Sequence, residues 1–193
     1  MQTPKQQKVQ GFTLLELLIG ISIAGVIVAF ALPSLRDFTA SNSVSAGTNQ
    51  MVSALNFART QAITLRTPVT LCASANYYTY SASHTAPTCS GSAFEKGWVI
   101  YVGTSGPTAT ASTTNILKAQ APDTSGKLTI NGAAIGTNIS FNSVGTTTNT
   151  GNLIVCGNGN TTNASKARVI QVGAGGRIQS MTGDTSGSGF SSC

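Results

Sequence analysis

The chain has 193 residues, the length of one ordinary domain, and only eleven basic and five acidic residues, 8% charged against about 25% in an average soluble protein. A single His rules out a zinc site with two or more His ligands, and no HExxH or CxxC motif occurs. The net charge of +6 is scattered, without the Lys/Arg-rich run that marks a nucleic-acid tail.

Residues 1–11 are polar, with Lys5 and Lys8 and no acid. Residues 12–32 form an apolar run whose one charge is Glu16. A helix of that length reaches about 31 Å, enough to cross a bilayer core. The lysines ahead of it place residues 1–11 in the cytoplasm and the rest outside. A cleaved secretory signal with Ala29-Phe30-Ala31 as its site is one reading, but the run is long for it and Glu16 stands where a signal core is uncharged. A plain anchor leaves Glu16 without a purpose, since a mid-membrane carboxylate costs about 2.5–3.5 kcal/mol. From near the helix start it would reach the interface at lower cost.

A third reading uses every residue. Gly11-Phe12-Thr13-Leu14-Leu15-Glu16-Leu17, after a short basic leader and opening an apolar helix, resembles the processing site of type IV prepilins and pseudopilins. The resemblance implies that a membrane-embedded prepilin peptidase and methylase cuts between Gly11 and Phe12 and methylates the new N-terminus. Glu16 then falls at the fifth mature position, where that family carries its Glu. The resemblance implies pairing of this carboxylate with the N-terminal amine of a neighbouring subunit. In low dielectric such a pair is far cheaper than either charge alone.

Pro33 follows the apolar run, where a kink or local break is expected. Beyond it the sequence stays helix-compatible to about Arg66. Met51, Leu55, Ala58, Ala62 and Leu65 are spaced 4, 3, 4, 3, a stripe that packs on the protein's own sheet. Arg59 and Arg66 fall on other faces. Thr67-Pro68 ends the helix.

From Val69 onward short apolar runs alternate with Gly, Ser, Thr and Asn. Candidate strands are 69–73, 97–102, 115–118, 127–130, 138–142, 152–156, 167–172 and 177–179. Low-complexity loops, such as 104–114 and 143–150, separate them. A long N-terminal helix before a β-rich head is an α+β arrangement. The expected division is a leader over 1–11, a membrane-spanning and polymerising helix over 12–32, its continuation over 33–66, and a head over 67–193.

Leu55-x-x-Ala58-Arg59-x-x-Ala62-Ile63, Pro68-Val69-Thr70-Leu71-Cys72, Gly97-Trp98-Val99-Ile100-Tyr101 and Gly176-Arg177 are similar to the GspH/FimT branch of minor pilins and pseudopilins. That resemblance implies a type IV pilin-like fold, with the helix packed on two small antiparallel sheets, and a role near a pilus tip. It also implies other major and minor pilins as partners. The protein would sit in the inner membrane as a single-pass prepilin with its head in the periplasm, and outside the cell once assembled.

Four Cys allow three pairings, of which Cys72–Cys89 and Cys156–Cys193 are favoured. The first closes a loop holding Tyr77, Tyr78, Tyr80 and His84. The second ties down a Ser/Gly-rich tail that otherwise has no reason to be ordered. Both suit an oxidising compartment. No catalytic constellation is visible. His84 sits in a polar loop, Asp37, Glu95, Asp123 and Asp184 are far apart in sequence, and the glycine clusters at 157–159 and 173–176 read as turns. No enzyme, metal or cofactor is expected.

Some FimT-type minor pilins bind DNA through a C-terminal Gly-Arg-x-Arg segment. The matching stretch here is Gly176-Arg177-Ile178-Gln179, with Gln179 in place of the second Arg. Lys166 and Arg168 would lie beside Arg177 if 167–179 forms a hairpin. Three such cations would give weak, salt-sensitive binding to DNA. The resulting expectation is a non-enzymatic minor pilin that primes filament assembly. The alternatives are a type II secretion pseudopilin and a DNA receptor of natural transformation.

Overall fold

The computed structural model describes residues 12–76, 87–106, 115–121, 128–132, 135–157 and 167–182, without the side chains of 31–37. The chain divides into two compact units, Met1–Thr39 and Ala40–Cys193. One α-helix, α1 (Leu14–Leu65), contributes to both. It includes Pro33, so the helix is not interrupted there.

In the first unit every described side chain from Phe12 to Phe30 is exposed. A helix that is apolar all round is built for lipid or for other helices, not for water. Among the described residues no helix is long and apolar enough to cross a membrane.

In the second unit α1 buries Val44, Thr48, Met51, Ala54, Leu55, Ala58 and Ala62, which recur three and four residues apart and so share a face. Thr48 is tolerated there because its hydroxyl donates to the Val44 carbonyl at 2.7 Å. Leu65 departs from the expected stripe: it is 44% exposed, because the helix ends at this residue and the sheets no longer cover it. Arg66 follows in the left-handed region at φ 52, one residue earlier than the expected helix end.

Eight strands follow: β1 (Val69–Ala73), β2 (Trp98–Val102), β3 (Ile116–Gln120), β4 (Leu128–Asn131), β5 (Asn138–Phe141), β6 (Gly151–Gly157), β7 (Arg168–Val172) and β8 (Ile178–Thr182). They form two antiparallel four-stranded sheets, ordered β3-β2-β1-β5 and β4-β6-β7-β8. This is the type IV pilin-like α+β fold the sequence suggests. A short 3-10 turn, Phe94–Lys96, lies outside the expected elements, and β8 runs three residues further than its expected end, into exposed sequence.

Strand alternation divides each sheet between two environments. Val69, Leu71, Ala73, Ile100, Ile139 and Phe141 of the first sheet, and Leu153, Val155, Ile170 and Val172 of the second, join the helix stripe in one hydrophobic core. Cys72, Val99 and Tyr101 form a separate small cluster. So do Ile154, Cys156 and Ala167.

The stretch 143–150 is not the featureless loop its composition suggests. Asn142 Oδ1 accepts from the N–H groups of Val144 at 3.1 Å and Thr146 at 3.0 Å. Asn142 N donates to the Thr146 carbonyl at 2.9 Å. Thr147 bridges back to Phe141, and Asn149 Oδ1 accepts from Ser140 N at 3.1 Å. The loop therefore covers the free edge of β5, which would otherwise expose unpaired backbone groups.

Candidate functional site

Thr13 stands at the N-cap of α1, one residue before its first turn. Its hydroxyl oxygen accepts from Glu16 N at 3.2 Å, and its carbonyl accepts from Leu17 N at 3.3 Å. Thr at the N-cap with Glu three residues on is the sequence of a capping box. A carboxylate in the first helical turn also faces the positive end of the helix dipole. Glu16 thus sits at a terminus that suits negative charge, before any neighbouring subunit is considered. Sequence reasoning gave Glu16 a role and missed Thr13, although Thr-x-x-Glu ahead of an apolar run was the available signal. Phe12 is exposed; Gly11 lies outside the described residues.

At the other end of α1, Arg59 reaches out of the helix to two turns. Its Nε donates to the Gly145 carbonyl at 3.0 Å and its Nη2 to the Gly175 carbonyl at 3.2 Å. The first turn follows β5 and the second joins β7 to β8, so one guanidinium ties the helix to both sheets. Thr147 N also donates to the Ala174 carbonyl at 3.0 Å. Gly145 and Gly176 have positive φ, 79° and 71°. A Cβ on Gly176 would overlap the Gly145 carbonyl oxygen, and one on Gly145 would press on Ile63. Glycine is therefore required at both positions.

The hairpin expected over 167–179 forms, but it does not gather the basic residues. Register pairs Arg168 with Thr182 and Val172 with Ile178. Arg168 therefore stands about five residues, roughly 17 Å, from Arg177 along β8. The two also point to opposite faces of the sheet, since side chains alternate. Arg168 donates to Thr182 Oγ1 at 3.1 Å. Arg177 lies against Gln179: with the amide oriented so that its oxygen faces the guanidinium, that oxygen accepts from Nε at 2.5 Å. In that orientation the residue that replaces a second cation is an acceptor for the first. Lys166 lies outside the described residues.

Cys72 and Cys89 form a disulfide. Cys156 is also disulfide-bonded, while Cys193 lies outside the described residues, as do Tyr77, Tyr78, Tyr80 and His84. Glu95 Oε2 accepts from Ile130 N at 3.0 Å and so closes the outer edge of β4. Among the described residues no group of three or more His, Cys, Asp or Glu is placed to hold a metal ion.

A helix with a processing-type N-terminus, joined to a head of two antiparallel sheets, defines a pilin-class subunit. The profile of the prokaryotic N-terminal methylation motif matches residues 6–32. The profile described as type II transport protein GspH matches residues 47–176, most of the chain, and the protein belongs to that family. Its members are structural subunits, not enzymes. Two crystal structures of the type IV minor pilin FimU of Pseudomonas aeruginosa strain PAO1 are similar to this chain. One, in space group P21, aligns with a TM-score of 0.50 at 20% identity, covering 74% of this chain and 90% of FimU. The other, in P65, gives 0.49 at 20% identity, covering 71% and 91%. No curated protein matches.

Proposed function

We propose that this protein is a minor pilin of a type IV pilus, inserted in the inner membrane through residues 12–32, cleaved after Gly11 and methylated on Phe12. The observation that carries this reading is the joining, on one chain, of the methylation motif at residues 6–32 to a GspH-type head at 47–176. The exposed apolar helix then packs against other pilin helices, and the Glu16 carboxylate meets the Phe12 amine of a neighbour. The head contributes to priming the filament with other major and minor pilins.

The test is the N-terminal residue and intact mass of the native mature protein. N-methyl-Phe12 supports the proposal. Leu32 as first residue would make the chain a secreted soluble domain and overturn it.

A second reading is favoured by the family description itself, a type II transport protein. As a type II secretion pseudopilin the chain would share the same processing. A deletion strain that loses secretion but keeps its pili would select that role. The DNA-receptor reading draws less support: the register of β7 and β8 separates Arg168 from Arg177. Salt-dependent binding of duplex DNA that weakens in Arg177→Ala would restore it.

A further inference from the structure

A strand at the edge of a sheet carries backbone groups with no neighbour, and three of the four edges here are covered or charged. The loop 143–150 lies along β5. Glu95 Oε2 accepts from the Ile130 N–H of β4. Lys118 stands on β3, its Nζ 5.7 Å from the centroid of the Phe57 ring. The fourth edge is β8, the last strand of the order β4-β6-β7-β8. Its Ser180, Met181 and Thr182 are exposed, and among the described residues no strand lies beyond it.

The turn ahead of β8 fixes which of its backbone groups face outward. Gly176 N donates to the Gly173 carbonyl at 2.8 Å, and Gly173 N donates to the Arg177 carbonyl at 3.0 Å. With Gly176 at φ 71, this is a three-residue hairpin loop closed by a bulge. Gly173 and Arg177 are therefore a hydrogen-bonded pair. Such pairs alternate along an antiparallel ladder, so Gln179 bonds to Gln171 and Met181 to Val169. The N–H and C=O groups of Ile178, Ser180 and Thr182 consequently point away from β7. Among the described residues none of these groups has a backbone partner on that side.

We infer that β8 is a pairing edge for a second copy of this chain, set antiparallel about Ser180. In that register Ile178 faces Thr182 of the second copy and Ser180 faces Ser180. Every outward N–H and C=O of one edge then meets its complement on the other. Such an isologous contact asks nothing of a foreign sequence. Ile178 and Thr182 are both β-branched, a pairing that suits adjacent strands. The two Arg177 side chains stand about six residues, roughly 20 Å, apart along the ladder, beyond the screening length of about 8 Å. A contact this small holds only copies already brought together. The apolar helix of each copy does that when both enter one bilayer or filament. To that extent the inference rests on the membrane insertion proposed above.

The experiment introduces Ser180→Cys in the full-length chain, in the cells that make it, and treats them with a short bismaleimide. A covalent homodimer is expected, since a hydrogen-bonded pair holds its Cα atoms about 5.5 Å apart. Asn131→Cys, exposed at the end of β4 on the far edge of the same sheet, should give none. Adding Thr182→Pro removes an outward donor from each copy without breaking a bond to β7, and should lower the yield about tenfold. Met181 would face Gln179 of the second copy, diagonal to its Arg177. Met181→Glu should therefore raise the yield about twofold and Met181→Arg lower it about twofold. If Thr182→Pro misfolds, the two Met181 variants decide. No homodimer through residue 180, as when residues 183–193 of the same chain fill the edge, would overturn the inference. So would an adduct with a different protein alone, an equal yield from Asn131→Cys, or a yield unmoved by the variants in a folded chain. The N-terminal residue of the same sample reports separately on membrane insertion: N-methyl-Phe12 without a homodimer overturns the pairing alone.

Discussion

Arg59 Nε donates to the carbonyl oxygen of Gly145 across 3.0 Å, joining residues 86 apart in the chain. Its other arm holds Gly175. Removing it takes two charge-assisted bonds and leaves the Gly145 carbonyl, on a buried residue, to find another donor. Arg59→Ala should cost about 2–3 kcal/mol of head stability. Arg59→Lys should recover less than half, since an ammonium cannot span both carbonyls as a planar fork does. Urea unfolding of the two variants measures this; equal stability of Arg59→Ala and the parent would remove the clamp.

Gly176→Ala acts on the same junction by a different route. The added methyl meets the Gly145 carbonyl and Arg59 Nε at a position that already has φ 71. A loss of about 1–3 kcal/mol is expected from strain. Because both substitutions release one contact, the double variant with Arg59→Ala should lose clearly less than the sum. Strict additivity in a double-mutant cycle would show that the two residues are not coupled.

Leu55 and Leu65 share one hydrophobic stripe in the sequence but not in the fold. Leu55 is 0% exposed and Leu65 is 44%. Leu55→Ala should destabilise by about 2–5 kcal/mol through lost burial and a cavity. Leu65→Ala should stay within about 0.5 kcal/mol. The comparison of denaturation midpoints is decisive: similar losses at both positions would contradict the helix end described here.

The Cys72–Cys89 disulfide closes a separation of 17 residues, which in the chain-entropy model contributes about 3 kcal/mol. Paired replacement by Ser should lower stability by about that amount and raise protease sensitivity between residues 73 and 88. An unchanged melting temperature would mean that the unfolded chain gains little freedom when the bridge is absent.

Thr13 and Glu16 can be separated experimentally. Thr13→Ala removes the cap and should weaken the first helical turn by about 1 kcal/mol, seen as faster amide exchange at residues 14–17. Glu16→Ala should leave membrane insertion intact and reduce incorporation into filaments. If Thr13→Ala impairs incorporation as strongly as Glu16→Ala, helix capping and not subunit charge pairing is the dominant role of this segment.

What the sequence determined was local. The apolar run 12–32 with its one carboxylate, the 4-3-4 spacing from Met51 to Ala62, and the eight apolar runs bounded by Gly, Ser, Thr and Asn specify elements because helix and strand periods are properties of neighbouring residues. The methylation motif is legible for the same reason. Even some local signals passed unread: Thr-x-x-Glu at 13–16, and Asn142 bracing the loop that holds Val144. Tertiary structure alone decided which strands share a sheet. It also decided the register that sends Arg168 and Arg177 to opposite ends and faces of one hairpin, and the use of Arg59 as a clamp between two turns. Each is a contact between residues distant in the chain, fixed by how the two sheets close over the helix, and no periodicity in a linear sequence encodes it.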